Sequence, residues 1–263
     1  MRASFGIGAL VRQRNCRVFA AAALAAIVMQ EARAQGALPP GFVYLRDVDP
    51  SIAQDMRYAG PDNFTGRPLP GYGAPECVLR RDVALALKLV QADLARQQLS
   101  LKVYDCYRPT RAVAAFVRWA NDGKDNGATK RFYPALEKRT LFAYGYIAAQ
   151  SAHSTGTAVD LTLVPLPAPA TPPFDPRATY GPCTGPAALR APDTSIDMGT
   201  GFDCFDPRSH TSSGAISAEQ KRARGLLLVA MRAHGFKNYF REWWHFTFGA
   251  RPAQVFDVPI VPR

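Results

Sequence analysis

The order of helix-like and strand-like segments constrains the fold of this chain more than any other feature of its sequence. Helix-like apolar periodicity occurs in three segments, at about residues 80–98, 110–120 and 218–233. Strand candidates occur at residues 101–107, 161–164 and 242–249. Because the two kinds of segment do not alternate regularly, we expect an α+β fold, a single domain with a central antiparallel sheet and helices packed on that sheet.

The ends of the predicted helices carry their own signals. Pro109 stands at the start of the second helix, where a missing N–H is tolerated. Ser217 and Gln220 form the pattern of a capping box at the start of the third helix. Gly235 stands where that helix is expected to end.

The first 34 residues are typical of an export signal. A basic front precedes an apolar run of twelve residues, 18–29, and an Ala-x-Ala pattern ends at Ala34. The run is short for a bilayer span, and no later stretch is apolar enough to cross a membrane. We expect cleavage after Ala34, a periplasmic location, a folded domain at 35–263 and no stable membrane insertion of the mature chain. A helix anchored at the membrane surface is the alternative.

The charge of the mature chain is moderately positive. The signal contains five arginines and one glutamate, which leaves 27 basic and 20 acidic residues, a net charge of about +7. Such an excess favours solubility or affinity for anionic surfaces. No basic run interleaves with aromatic residues and no nucleic-acid-binding motif occurs, so we expect no nucleic-acid partner.

Four cysteines remain after Cys16 leaves with the signal: Cys77, Cys106, Cys183 and Cys204. An even number in an exported protein indicates two disulfides, and four cysteines allow three pairings. A four-cysteine zinc site is the alternative, but no C-x-x-C pair supports it.

A proline-rich segment interrupts the second half of the chain. Residues 165–192 contain nine prolines. We interpret this segment as a loop insertion inside the domain, because residues that could carry chemistry stand on both sides of it. Loops this long are uncommon unless they are functional, tied down or disordered.

Two of the four histidines fit ordinary structural roles. His234 directly precedes Gly235, so a cation at a helix C-terminus is its simplest interpretation. His210 lies in the polar stretch RSHTSS and is expected to be exposed, with a supporting or substrate-contacting role as the alternative.

The other two histidines stand near carboxylates. His153 precedes Asp160 by seven positions in SAHSTGTAVD, and Glu242 precedes His245 by three in REWWHF. Two imidazoles and one carboxylate form a frequent catalytic zinc set. Glu242 could then accept a proton from the zinc-bound water. Each pair alone is weak evidence, because polar groups of a core or loop would explain it equally well.

The spacing of Glu242 and His245 sets a geometric condition. Positions i and i+3 point to opposite faces of a strand, so Glu242 must lie on a bend or bulge before the strand that carries His245. Arg108 ends the strand candidate YDCYRP and could stabilise an oxyanion. A structural arginine paired with a neighbouring carboxylate is the alternative.

Taken together, these motifs resemble one family. YDCYRP, SAHSTGTAVDLTL, MGTGFDCFD followed by RSH, and GFKNYFREWWHF occur in the order found in the VanX-type D-alanyl-D-alanine dipeptidases, and RYAGPDNFTGRPLPGY also looks like that family. The similarity spans about residues 42–257. The wider zinc D,D-peptidase group shares His-x6-Asp and the late histidine, whereas DNFTG and MGTxFD indicate the dipeptidase branch.

The resemblance implies a metal centre in a cleft on the sheet. His153, Asp160 and His245 would hold one Zn²⁺ per chain. Glu242 would be the general base and acid, and Arg108 would stabilise the tetrahedral intermediate.

The resemblance also implies a substrate site. Asp203 would receive the free ammonium of the substrate with help from Tyr58, and Ser151 would contact the substrate near the zinc. Gly156 would supply a turn that other residues could not.

Two features depart from the expected family pattern. The segment 165–192 is longer than expected and could cover the site or alter substrate entry. The cysteines are the other departure. We expect Cys77–Cys106 to brace the strand that carries Arg108, and Cys183–Cys204 to pin the insertion beside Asp203.

The expected function is zinc-dependent hydrolysis of D-Ala-D-Ala to two D-alanines in cell-wall dipeptide turnover. One alternative is a D,D-carboxypeptidase that trims peptidoglycan stems, which Asp203 argues against because an acylated stem has no free amine. The other is a non-catalytic metal-binding cell-wall module, which Glu242 argues against because a binding domain needs no base beside its metal.

Overall fold

Two sheets and four helices form the regular structure of the residues that the computed structural model describes, which are Met1, 38–124, 127–250 and 254–263. The strands are β1 (Phe42–Tyr44), β2 (Ala53–Gln54), β3 (Val78–Arg80), β4 (Leu99–Asp105), β5 (Ala158–Pro165), β6 (Phe236–Asn238) and β7 (His245–Phe248). The helices are α1 (Leu45–Val48), α2 (Arg81–Ala95), α3 (Thr110–Ala120) and α4 (Ala218–Ala233). The predicted export signal falls, apart from Met1, outside the described residues.

The central sheet confirms the predicted α+β class. Its spatial order is β2-β4-β5-β7-β6, and every neighbouring pair is antiparallel except the two-residue edge strand β2, which runs parallel to β4. Strands β1 and β3 form a separate antiparallel pair. In β5 every residue from Ala158 to Val164 is buried, which is typical of a strand covered on both faces.

The predicted helices are present. Helix α2 is shorter than the expected 80–98, and its apolar stripe faces the core through Val83, Leu87, Val90 and Leu94. Helix α4 begins after the expected capping box, with both reciprocal hydrogen bonds formed. Helices α2 and α4 contact each other and the sheet. Helix α3 instead packs through an aromatic side chain on two rings beside the site, with Phe116 against Tyr58 and Phe64.

Both expected disulfides are formed. Cys77 and Cys106 are joined with their Cα atoms 5.3 Å apart, and Cys183 and Cys204 with theirs 5.4 Å apart. The first bond joins the residue before β3 to the residue after β4. The second ties the proline-rich segment to the residue that follows Asp203.

The proline-rich segment 165–192 is a loop, as predicted, apart from the end of β5 and a short 3₁₀ turn at Ala187–Leu189. Gly181 donates a backbone hydrogen bond to Leu189 at 2.7 Å, and Cys183 donates one to Arg131 at 2.8 Å. Within the described part of the chain, no helix is long and apolar enough to span a bilayer.

Candidate metal centre and active site

The sheet register brings two carboxyl side chains and one imidazole side chain side by side. Asp105 on β4 pairs with Asp160 on β5, and Asp160 pairs with His245 on β7. Directly paired residues of neighbouring strands lie on the same face of a sheet with their Cβ atoms close together. Residues far apart in sequence therefore meet at one level of the sheet.

His153 reaches the same place from a short 3₁₀ helix, Ala152–Thr155, before β5. Gly156 ends this helix with a φ of +75°, and a Cβ at Gly156 would lie 2.2 Å from the Phe42 ring. The expected need for glycine is confirmed. His153 Nδ1 lies 2.6 Å from the Cys106 carbonyl oxygen. A hydrogen bond there leaves Nε2 free to bind a metal.

The three predicted metal ligands converge. Asp160 Oδ1 lies 3.2 Å from His153 Nε2 and 2.9 Å from His245 Nδ1, and the two ring nitrogens are 3.1 Å apart. A tetrahedral ion with bonds of about 2.0–2.2 Å needs its ligand atoms roughly 3.3–3.6 Å apart, so the donor set fits such an ion with small adjustments.

The electrostatics of the cluster suit a metal. Burial lowers the pKa of His245, which favours the neutral imidazole that binds metals. Burial alone would raise the pKa of Asp160, but His153 and then His245 hold it well below its usual range. The cluster therefore offers two imidazole nitrogens and one carboxylate.

Glu242 stands before β7 in a turn, as the spacing required. Its backbone carbonyl accepts a hydrogen bond from the His245 N–H at 3.3 Å, and its Oε2 lies 3.9 Å from His245 Nδ1. Burial, and then the negative charges of Asp160 and Asp203, raise the pKa of the Glu242 carboxyl well above its usual range. A nearby cation would offset that effect.

Arg108 has the carboxylate partner expected of a structural arginine, and its expected role at an oxyanion stays a prediction. Its Nε and Nη2 atoms lie 2.9 and 2.8 Å from Asp105 Oδ2, and Nη2 lies 3.6 Å from Asp160 Oδ2. Its guanidinium lies 5.0 Å from the centroids of the Tyr58 and Phe116 rings. The arginine is thus held by a structural carboxylate and still reaches the metal cluster.

The sequence interpretation missed Asp105, although it stands inside YDCYRP. This fully buried carboxylate lies 3.4 Å from His153 Nδ1, binds Arg108 and accepts a hydrogen bond from Tyr72 at 2.6 Å. The signal available in the sequence was an aspartate three positions before Arg108, at the end of a predicted strand. Its partners Tyr72 and His153 come from distant parts of the chain, so the sequence alone did not reveal its role.

Asp203 and Tyr58 form a pair. The Tyr58 hydroxyl donates to Asp203 Oδ2 at 2.6 Å, and both side chains are buried. Burial, and then the charge of Asp160, raise the pKa of Asp203 to about 8. The Asp203 backbone has a φ of +54°, a conformation that costs free energy for a non-glycine residue and is often found at functional sites.

One pocket of about 270 Å³ joins the predicted residues. All eight line it, namely Tyr58, Arg108, Ser151, His153, Asp160, Asp203, Glu242 and His245. Ser151 also accepts a hydrogen bond from the His153 N–H at 3.2 Å.

The expectation that 165–192 could cover the site is not supported. The pocket lining among the described residues contains none of that segment, but it contains Gly145–Ala148 and Gln150–Ala152. The insertion instead contacts Arg131, whose backbone carbonyl accepts a hydrogen bond from the Cys183 N–H at 2.8 Å.

The remaining histidines lie outside this pocket lining. His234 is the C-terminal cap of α4, and its Nε2 lies 2.7 Å from Asp93 Oδ2. Its predicted place at a helix end is confirmed. His210 packs against Phe240 with ring centroids 6.1 Å apart.

Comparison with known proteins agrees with this geometry. The family model described as D-ala-D-ala dipeptidase matches residues 39–167 and 187–260, so most of the proline-rich segment lies outside the match. A D-alanyl-D-alanine dipeptidase of Enterococcus faecalis is 35% identical over 81% of this chain and 93% of its own length. One from Streptomyces coelicolor is 34% identical over 83% and 98%. One from Escherichia coli is 29% identical over 78% and 82%. The chain belongs to the D-Ala-D-Ala dipeptidase family.

Proposed function

We propose that this chain is an exported, zinc-dependent dipeptidase that cleaves D-Ala-D-Ala to two D-alanines. The observation that carries the proposal is the convergence of a two-histidine, one-carboxylate cluster, Glu242 and the Tyr58–Asp203 pair on a single pocket of about 270 Å³. That volume lies just below the range of roughly 300–1,000 Å³ for sites of drug-sized ligands, so a small substrate is favoured.

His153, Asp160 and His245 would hold the zinc ion. Two histidines and one carboxylate leave a position for water, as catalytic zinc sites require. The bound ion would lower the pKa of that water towards neutrality and polarise the scissile carbonyl. The hydrogen bond between His153 Nδ1 and the Cys106 carbonyl orients the ring and would leave Nε2 free to bind the ion.

Glu242 is the proposed proton carrier. Its carboxylate lies beside the metal ligands without belonging to the cluster of three. It would accept a proton from the attacking water and pass one to the leaving amine, a role worth roughly 10²–10⁴ in rate. Arg108 would donate hydrogen bonds to the carbonyl oxygen as negative charge develops on it.

Recognition of the free amine separates a dipeptidase from a carboxypeptidase. A buried Asp203 with a raised pKa gains a partner when an ammonium enters and keeps its desolvation cost when an acylated chain enters. Such a site rejects substrates that lack the matching polar group. The names of the relatives, each a D-alanyl-D-alanine dipeptidase, favour the same substrate.

Cell-wall dipeptide turnover is the proposed biological setting. The sequence pattern of residues 1–34 supports export, which would bring the enzyme to the compartment where dipeptide is released from the wall. We expect Edman sequencing of the periplasmic protein to begin at Gln35. Recovery of a full-length chain from the cytoplasm would contradict this location.

Metal removal tests the zinc requirement. Dialysis against a chelator should abolish release of D-alanine from D-Ala-D-Ala, and one equivalent of Zn²⁺ per chain should restore it. The matched control is the His245→Ala variant, which should bind less than one equivalent and recover no activity. Full activity of the metal-free protein would refute the zinc mechanism.

A further inference from the structure

The Asp193 carboxylate does not line the 270 Å³ pocket, but it binds two cationic side chains and one hydroxyl. Asp193 directly follows the proline-rich segment, and its carboxylate lies 2.5 Å from Lys102 Nζ and 2.6 Å from the Tyr104 hydroxyl. Lys102 and Tyr104 are two positions apart on β4 and so point to the same face. Arg57 Nη2 lies 3.3 Å from the same carboxylate. Asp193, with its side chain 20% exposed, thus receives donors from two separate parts of the chain.

The contact of Asp193 with Arg57 leads to Tyr58. Arg57 and Tyr58 are neighbours in the 3₁₀ helix Arg57–Ala59. Arg57 is also bound by Asp62 at 2.5 Å and by Asp55 at 2.9 Å, so Asp193 is one of three carboxylates that hold it. Together they hold the short helix whose next residue gives its hydroxyl to Asp203 at 2.6 Å. Movement of Arg57 would carry Tyr58 with it.

The contact of Asp193 with Tyr104 leads to Asp203 itself. The Tyr104 ring stacks on the ring of Phe202, with centroids 4.6 Å apart and an interplanar angle of 20°. Phe202 directly precedes Asp203, whose backbone φ of +54° must be held by its surroundings. The hydrogen bond from Tyr104 to Asp193 fixes the ring on which Phe202 rests.

We propose that Asp193 is a positioning residue for recognition of the free amine. It holds Arg57 and Tyr104, and through them it sets the separation of Tyr58 and Asp203 that an ammonium requires. The inference rests on the proposed function, because Asp203 is the proposed ammonium receptor.

A simpler role would be charge neutralisation. Lys102 is 3% exposed and Arg57 is 8% exposed, and buried cations need a counter-charge. Loss of a neutralising group alone would weaken every ligand and the fold together. Loss of a positioning group weakens only ligands that carry the amine, so two ligands that differ in the amine separate the roles.

Calorimetry on the zinc-loaded mature chain provides the test. All proteins carry Glu242→Gln, so that ligand is not consumed. The ligands are D-Ala-D-Ala and N-propionyl-D-alanine, which is the same molecule without its amine. We expect Asp193→Asn to weaken D-Ala-D-Ala binding about tenfold and to change N-propionyl-D-alanine binding less than twofold, because only the first ligand uses Asp203.

Asp197→Asn is the matched control. Asp197 follows Asp193 by four residues, and it is bound by Arg190 at 3.0 Å and by Gln220 at 2.8 Å. Its replacement removes the same charge from a carboxylate that binds neither Arg57 nor Tyr104. Its binding of both ligands should stay within twofold. If Asp193→Asn does not fold, Tyr104→Phe removes only the hydroxyl that binds Asp193 and should weaken D-Ala-D-Ala binding about threefold.

Two outcomes overturn the inference and differ from each other. In the first outcome, the parent protein prefers D-Ala-D-Ala, and the Asp193 and Tyr104 variants keep that preference or bind both ligands more weakly by the same factor. Asp193 then does not position the receptor, and the proposed function stands. If the parent protein binds the two ligands equally, amine recognition fails, and the proposed function and this inference fall together.

Discussion

At the scale of single residues, the site combines groups whose environments disturb their ionisation. The pKa values of the buried Asp203 and the half-buried Glu242 are raised, whereas Asp160 is held ionised by two imidazoles. Perturbed groups that share one pocket are a frequent mark of catalysis. Each has a different role in the proposed mechanism, so each predicts a different result on substitution.

Replacement of Glu242 with Gln should remove the proton carrier and leave the metal ligands in place. We expect kcat to fall by roughly 10²–10⁴. Zinc content, measured by inductively coupled plasma mass spectrometry, should remain one per chain. Loss of zinc together with activity would place Glu242 among the ligands and contradict its proposed role.

Replacement of Asp203 with Asn should change stability in a pH-dependent way. The folded-state pKa of Asp203 is about 8, above the ordinary value of 3.8, so the folded state binds this proton more tightly than the unfolded state does. The contribution of Asp203 to folding therefore becomes less favourable as pH rises from about 4 to about 8. The variant should unfold at a higher temperature than the parent at pH 7 and at the same temperature at pH 3.

Thermal unfolding followed by circular dichroism measures that difference in the metal-free protein. The variant should also lose preference for a free amine, which links the stability gain to the function lost. A variant that is less stable than the parent at pH 7 would contradict the assigned environment of Asp203.

At the scale of elements, much of the site follows from local sequence. The three longer helices, the late strand and the bend at Glu242 were predicted from periodicity, caps and spacing, whereas the four-residue helix α1 was not. The lateral alignment of Asp105, Asp160 and His245 could not be, because strand register depends on pairing between distant segments. For the same reason the partners of Asp193 on β4 were not predictable.

Gly156 offers a test of the turn that presents His153. With a φ of +75° and Phe42 in the space of a Cβ, Gly156→Ala should destabilise the fold by more than about 1 kcal/mol. Gly225→Ala is the matched control, because nothing lies within 4 Å of the added Cβ in α4, and it should stabilise by about 0.4–1 kcal/mol. Urea unfolding measures both. Equal effects would contradict the strained turn.

At the scale of the whole molecule, two disulfides connect the site to its surroundings. Cys77–Cys106 ends two residues before Arg108, and Cys183–Cys204 ends beside Asp203. The proline-rich insertion was correctly predicted as a loop, but it does not line the pocket that it was expected to cover, and its effect on substrate entry stays a prediction. Its composition shows that it is irregular, whereas the surface on which it packs depends on the tertiary fold.

The double variant Cys183→Ala/Cys204→Ala should release the insertion and loosen Asp203. The bond closes a span of 21 residues, so its loss should cost about 3 kcal/mol. We expect a lower unfolding temperature and a higher KM for D-Ala-D-Ala with little change in kcat. The matched variant Cys77→Ala/Cys106→Ala should instead lower kcat, because it disturbs the segment after β4 that carries Arg108. Identical kinetic effects of the two variants would contradict these separate roles.

We propose that this molecule uses a metal centre to cleave a dipeptide with a free amine. A paired assay tests this: D-alanine release by zinc-loaded mature protein is followed with D-Ala-D-Ala and with an N-acylated peptide that ends in D-Ala-D-Ala. We expect release from the free dipeptide alone. Release mainly from the acylated peptide would contradict it, and would assign the protein to the carboxypeptidases and remove ammonium recognition from Asp203.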